Sequence, residues 1–298
     1  MRIGIFTAAG GKTGFGHLGR CLALRDALRE RGEDPVVYVD GTYGAGCGIK
    51  AEQWQEDTPP SGFDICVIDS YEPDALYLKG LDNGLDVFLD DYMRLEYPPG
   101  VVINGALYAE ELPYNRDDTL LGVEYALLRK PFWDLTPMEG EQGIFVSAGG
   151  STPGNVLEKI CRVLLEQTDE TLNVLSVKPP VSSVRVNTFF DLDAEEMLKL
   201  MQISSCAFSA AGQTTYELAR AGLTGCIFSV AENQENNLRA WERSGVFKSA
   251  GRAYDEGFEG LLRKHAAVLG RGVNTSAREL VDGQGARRAA EFILERVR

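Results

Sequence analysis

The chain holds two histidines, and one of them, His17, closes a glycine-rich run: Ala9-Gly10-Gly11-Lys12-Thr13-Gly14-Phe15-Gly16-His17. Glycines such as Gly14 and Gly16 let the backbone come close to a ligand. Imidazole is the side chain best suited to taking a proton near neutral pH. A helix beginning at this point disfavours an imidazolium in its first turn, so the ring is expected to be neutral and able to accept. The run is not a Walker loop, because Phe6 stands where the first glycine would have to be, and its spacing does not fit the dinucleotide fingerprint. The plain alternative is that His17 is a capping or surface residue. Its position argues for more, since it follows the first expected strand, and open parallel sheets bind ligands at the carboxyl ends of their strands. His265, behind Arg263 and Lys264 on an expected exposed helix, is assigned no role.

Three further segments could hold an anion or a sugar. Gly149-Gly150-Ser151-Thr152 lies between an expected strand and helix, which suits an anion at a helix N-terminus; the same glycines would serve any tight strand–helix connection. In Phe208-Ser209-Ala210-Ala211-Gly212-Gln213-Thr214-Thr215-Tyr216-Glu217-Leu218, small residues expose backbone N–H groups to phosphate oxygens. Glu217, one turn into the following helix, could accept hydrogen bonds from ribose hydroxyls, or could simply favour the helix dipole. Last, Ala231-Glu232-Asn233-Gln234-Glu235-Asn236-Asn237 offers amides, Asn233 and Gln234 among them, that could read hydroxyl or acetamido groups or merely cap a helix.

These loops need a scaffold, and the apolar pattern supplies one. Residues 2–8 read as a strand, and Leu18, Cys21, Leu22, Leu24, Ala27 and Leu28 recur at helical spacing until Gly32. Residues 35–39 read as the next strand. Further strands are expected at 63–69, 86–89 and 101–104, with a short helix at 74–79 and loops or a short helix over 41–62. Residues 134–142 have linker composition. Beyond them the strand–glycine loop–helix order restarts at 143–167. Strands are expected at 172–177, 184–189, 206–209 and 225–230, and helices at 194–202, 214–221, 234–244, 258–264 and 286–296. The fold class expected is therefore α/β, with two Rossmann-like domains, 1–138 and 139–298, facing across a cleft. A return of the last helix to the first domain is compatible with this architecture.

Composition narrows the partners. The net charge of −14 disfavours nucleic acid and anionic membrane surfaces, which demand basic faces. A small diphosphate remains compatible, because local N–H groups can hold it. No apolar run reaches the ~20 residues of a membrane span, and the N-terminus lacks the shape of a signal peptide. The six cysteines are scattered without metal or redox spacing, as in a cytoplasmic protein with reduced thiols. No clustered ligand set calls for a metal, Asp90-Asp91 lacks the separated pair of a magnesium–nucleotide site, and no cofactor is expected.

The motifs also stand in a familiar order. Gly14-Phe15-Gly16-His17 with Arg20, Ser147-Ala148-Gly149-Gly150, Ser209-Ala210-Ala211-Gly212 with Glu217, and Glu232-Asn233-Gln234 together resemble the UDP-sugar hydrolases of pseudaminic acid biosynthesis and the wider spore-coat polysaccharide group. The likeness extends to Ile68-Asp69-Ser70-Tyr71, Leu89-Asp90-Asp91, Asn104 with Tyr108, and Tyr125-Ala126-Leu127-Leu128-Arg129. More remotely, the second half resembles the nucleotide-binding half of GT-B glycosyltransferases. The resemblance implies a GT-B architecture and release of UDP from a UDP-activated amino-deoxy sugar, with inversion by water. It implies His17 as the base, with Gly14, Gly16, Arg20, Tyr71, Asn104, Asn233 and Gln234 on the sugar side. Gly149, Gly150, Ser151, Ser209, Ala210, Gly212, Gln213, Thr214 and Glu217 would hold UDP. The chain departs from the family over residues 41–60 and at Ser151-Thr152, where the hydrolases often carry an acidic residue. A GT-B glycosyltransferase with a soluble acceptor and a non-catalytic nucleotide-sugar-binding protein are the alternative readings.

Overall fold

The computed structural model describes residues 1–10, 14–41, 48–55, 58–136, 143–149, 154–268 and 273–297. They form two compact units: Met1–Lys130 with Gly283–Arg298, and Pro131–Asp282.

The first unit is built on β1 (Ile3–Ala9), α1 (Gly16–Glu30), β2 (Val36–Gly41), β3 (Ile49–Ala51), β4 (Ile65–Asp69), α2 (Ala75–Lys79), β5 (Leu85–Leu89), β6 (Val101–Asn104) and β7 (Thr119–Leu121). The strands pair in parallel in the order β3-β2-β1-β4-β5-β6-β7. Every residue of β1 and of β4 is buried, the mark of central strands covered on both faces, which is why they read as unbroken apolar runs. On one face Phe6, Trp54, Phe63, Phe88 and Val102 form an aromatic-rich core. Helix α1 ends at Glu30 and is followed by Gly32 at φ +86°.

The second unit contains β8 (Ile144–Ser147), α3 (Gly154–Gln167), β9 (Leu172–Leu175), β10 (Val186–Phe189), α4 (Ala194–Ile203), β11 (Cys206–Ala210), α5 (Thr214–Ala221), β12 (Gly225–Ser229), α6 (Glu235–Ser244), β13 (Phe247–Arg252), α7 (Phe258–Ala266) and α8 (Thr275–Leu280). Its parallel sheet has the order β10-β9-β8-β11-β12-β13, over a core that includes Ile160, Leu164, Phe208, Phe228 and Phe258. The final helix, α9 (Gly285–Val297), belongs to the first unit and packs against α1. Arg287 Nε donates to Glu30 at 2.8 Å there. A Cβ on Gly285 would lie 2.3 Å from the Ala126 carbonyl, so only glycine permits the close entry of this helix.

Four elements depart from the sequence expectation, the short helix α8 over Thr275–Leu280 being one. Residues 41–62 contain an edge strand, β3, in place of loops or a short helix, and β7 and β13 complete the far edges of the two sheets. β3 and β7 span three residues each, too short for period-2 alternation to register. β13, Phe-Lys-Ser-Ala-Gly-Arg, is interrupted by small and polar residues.

Both sheets reverse strand order at a defined point. In the first, the chain leaves β1 toward β2 on one side, while β4 starts the other side; in the second, β8 and β11 hold the corresponding places. Loops that leave such a pair diverge and open a crevice at the carboxyl edge of that sheet, the usual ligand position in open α/β sheets.

Candidate functional site

In the first unit, β1 and β4 lie side by side with Thr7 opposite Asp69. The chain leaves β1 through Gly10, whose N–H donates to the Gly14 carbonyl at 2.9 Å. Gly14 has φ +71°, a backbone state that glycine adopts freely. Helix α1 then starts at Gly16, placing His17 in its first turn. Asp69 is the last residue of β4 and is completely buried. The loop after β1 therefore carries His17 back over the end of β4.

The contact that results is close. His17 Nδ1 stands 2.6 Å from Asp69 Oδ1, with the imidazole 7% exposed. A carboxylate only accepts hydrogen bonds, so Nδ1 carries the proton and, in the neutral ring, Nε2 holds the lone pair. One turn further along α1, Arg20 donates from Nε to Asp69 Oδ2 at 2.7 Å and from Nη2 to Oδ1 at 2.6 Å. Its Nη1 donates to Asp91, just beyond β5. Arg20 Nη2 also lies 3.1 Å from His17 Nδ1; both are donors to the same oxygen, so this is a close approach and not a hydrogen bond.

Burial and charge compete here, and charge wins. Burial alone would raise the Asp69 carboxyl, yet the Arg20 guanidinium and the His17 ring hold it well below the usual carboxylate range. Asp91 is likewise held down against burial, by Arg20 and by the Tyr71 hydroxyl. Burial pushes the Cys21 thiol well up, and Asp69, which accepts from Cys21 Sγ at 3.4 Å, pushes it further. The thiol stays protonated and acts as a donor.

The remaining expected residues of this unit fall around the same group. Tyr71 donates its hydroxyl to Asp91, and its ring meets the His17 ring edge-on, with centroids 4.5 Å apart. Burial, then Asp91, raises the Tyr71 phenol far above its ordinary value. Asn104 is fully buried at the end of β6. Its Nδ2 donates to the Asp91 carbonyl at 2.9 Å and to Tyr114 Oη at 3.1 Å, and its Oδ1 accepts from the Ala106 N–H at 3.0 Å. Asn104 thus fixes the loop that carries Asp91. Tyr108 Oη donates to the same carbonyl at 2.9 Å, and Tyr114 donates to Asp90.

In the second unit, the loops after β8 and β11 leave adjacent strands. Gly149 has φ +83°; Gly150 and Ser151 lie outside the described residues. Ser209 and Ala210 end β11 and are buried. Gly212 and Gln213 follow, with N–H groups that have no partner among the described residues, and Thr214 opens α5. Thr215 Oγ1 donates to the Gly212 carbonyl at 2.7 Å. Asn237, buried on α6, clamps the loop: its Nδ2 donates to the Ala211 carbonyl at 2.9 Å, and its Oδ1 accepts from Tyr216 Oη at 2.6 Å. Glu217 is buried on α5. Gln234 Oε1 accepts from the Val230 N–H at 3.0 Å, while Asn233 is exposed in the single turn of 3-10 helix at Glu232–Gln234.

Sequence reasoning singled out His17, Arg20 and Tyr71 but gave no role to Asp69 or Asp91, and it read Asn237 only among the amides that could face a sugar or cap a helix, whereas Asn237 clamps the loop before α5. The available signal was an acidic residue ending an apolar strand: Asp69 after Ile-Cys-Val-Ile, and Asp90-Asp91 after Val-Phe-Leu. In a parallel sheet those positions share the carboxyl edge.

No family model matches the chain. A Helicobacter pylori protein named pseudaminic acid cytidylyltransferase and UDP-2,4-diacetamido-2,4,6-trideoxy-beta-L-altropyranose hydrolase is 26% identical over 246 residues, 79% of this chain and 46% of that protein. The chain thus spans about half the length of this curated relative. Among solved structures, the S. aureus MnaA–UDP co-structure superposes with a TM-score of 0.62 at 12% identity, covering 99% of this chain and 96% of that one. Acinetobacter baumannii MurG gives 0.59 at 15% identity, covering 99% and 100%. The fold is GT-B-like. The glycosyltransferase of kitacinnamycin has the same architecture, with a TM-score of 0.58, 13% identity and full coverage of both chains. Among the described residues, no helix of this GT-B-like chain is long and apolar enough to cross a membrane.

Proposed function

We propose that the chain is an enzyme that hydrolyses a UDP-activated amino or deoxy sugar at its anomeric carbon, releasing UDP and the free sugar. The observation that carries this reading is the buried Asp69–His17 pair at the strand-order reversal of the first sheet. Asp69 holds the proton on Nδ1, which leaves the lone pair on Nε2 to accept a proton from a water molecule. As the water oxygen bonds to the anomeric carbon, Nε2 takes its proton. The bond from that carbon to the UDP oxygen breaks, and the electron pair leaves with the diphosphate. The second unit contributes the N–H groups of the loop before α5, suited to a diphosphate. The name of the H. pylori relative supports the substrate class, and the UDP in the MnaA structure supports the nucleotide.

Residues 1–138 would then be the catalytic, sugar-side part and residues 139–298 the nucleotide-binding part. Chromatography of the products separates this reading from its main rival. Free sugar plus UDP in buffer alone means hydrolysis, whereas dependence on an added alcohol means glycosyl transfer, the activity named for the kitacinnamycin neighbour. His17→Ala should lose on the order of 10²–10⁴ in turnover while still binding UDP in calorimetry. Wild-type turnover by that variant would remove His17 from the reaction.

A further inference from the structure

Asp69 does not face His17 alone. Its Oδ1 is shared by His17 Nδ1 and Arg20 Nη2, each at 2.6 Å, so the guanidinium lies against the imidazole on the side of the protonated nitrogen. All of these groups are buried or nearly so. The charged and titratable groups around the ring can be named element by element among the described residues. Arg20 and Cys21 belong to α1, Asp69 ends β4, Tyr71 follows it, and Asp91 follows β5. Cys21 and Tyr71 are held in their neutral forms by burial and by the adjoining carboxylates. Among the described residues, the charge balance around His17 therefore reduces to two carboxylates against one guanidinium.

Without Arg20, the buried Asp69 carboxylate and the part-buried Asp91 carboxylate would face the ring and would favour a doubly protonated imidazolium, which cannot accept a proton. We propose that Arg20 is a positioning residue that keeps His17 in its proton-accepting form, letting Asp69 select the tautomer without trapping the charged ring. Asp91 is the counterweight in this arrangement: it takes Nη1, orients the guanidinium against Asp69, and partly offsets its charge. The inference rests on His17 as the base of the proposed hydrolysis, but it is read out without substrate.

Histidine NMR of the full-length chain follows the His17 ring across pH, with His265 as the second, internal signal. Opposite charge changes should move the His17 transition in opposite directions. Arg20→Gln removes the cation and moves it to higher pH by about 1–3 units, the usual effect of a charge at this range. Asp91→Asn removes an anion and moves it to lower pH, and Arg20→Lys, which keeps the charge, leaves it near that of the wild type. The acid limb of kcat/KM should follow the same order. A role in packing alone would lower the melting temperature of all three variants without this ordering. The proposal is overturned if Arg20→Gln leaves the transition in place or moves it in the same direction as Asp91→Asn. Should Arg20→Gln not fold, an upward or absent shift in Asp91→Asn overturns it equally. Turnover that survives loss of His17 would refute the catalytic reading, while the NMR ordering would still test Arg20.

Discussion

Replacing Asp69 with asparagine removes one oxygen and one charge and preserves the shape of the side chain. The structure gives that change two consequences of different size. Asp69 is fully buried and accepts from His17, Arg20 and Cys21. Removing one partner of a buried ion pair costs about 3–5 kcal/mol of stability. Arg20 keeps Asp91 as a second partner, so the lower end of that range, about 3 kcal/mol, is expected here. The catalytic consequence follows from tautomerism. If asparagine turns its amide N–H toward Nδ1, the ring must carry its proton on Nε2, and the lone pair then points away from water. The loss should approach the whole contribution of a positioned base, ~10²–10⁴ in kcat, or about 2.7–5.4 kcal/mol of barrier.

The assay is steady-state turnover of Asp69→Asn, His17→Ala and the double variant, with UDP affinity measured alongside. Two residues that act as one unit give non-additive losses, so the double variant should be no slower than His17→Ala. UDP affinity should be unchanged in all three. The acid side of stability gives an independent check. The folded-state carboxyl of Asp69 is held below its unfolded value. Its stabilisation is therefore present above about pH 3.9, the ordinary aspartate value, and fades as pH falls toward the folded-state value. Asp69→Asn should flatten that part of the stability curve. A kcat within about threefold of wild type, against the ~10²–10⁴ loss expected of a positioned base, would refute the reasoning, as would losses that simply add.

The second unit offers a probe that leaves the fold alone. Among the described residues, a Cβ on Gly212 would meet only Gln234 Nε2, at 3.6 Å, which is ordinary contact. Gly212→Ala should therefore melt like wild type yet bind UDP about tenfold or more weakly, a loss of ~1.4 kcal/mol, if phosphate oxygens approach that backbone; unchanged affinity in calorimetry would move the diphosphate elsewhere. Asp86 behaves in the opposite sense to Asp69: burial, with Asp82 adding to it, raises its carboxyl, so its ionised form opposes folding at neutral pH. Asp86→Asn should raise Tm at pH 7 and leave it nearly unchanged at pH 4, and equal shifts at both would contradict the sign.

Much of this was legible because parallel sheets write themselves plainly. Ile-Gly-Ile-Phe-Thr-Ala-Ala and Ile-Cys-Val-Ile-Asp are buried throughout, so their apolar runs identify strands without alternation. A glycine run followed by helical spacing then marks where α1 begins, and with it His17. What stayed hidden was partnership across distance. Asp69 lies 52 residues from His17 and meets it only because β4 pairs beside β1, a register no local pattern encodes. Asn104 illustrates the converse. The family resemblance implies Asn104 on the sugar side; in the structure its amide is engaged with Asp91, Tyr114 and Ala106. Which partners the fold brings within hydrogen-bond distance is a tertiary fact.

The carboxyl edges of the two parallel sheets differ in charge. At the carboxyl edge of the first sheet, Asp69, Asp90 and Asp91 stand with Arg20 as the cation that binds two of them. Such an edge can polarise a histidine and a water molecule, but its excess of carboxylates would repel a diphosphate at short range. The corresponding edge of the second sheet ends in Ser209, Ala210 and Gly212. Its small side chains leave N–H groups as the polar surface, an environment that favours an anion without a net positive charge. An overall charge of −14 is then no obstacle to a small anion held by backbone N–H groups. Abolishing UDP binding by substitutions around Asp69 and Asp91, with Gly212 variants silent, would reverse this division of labour.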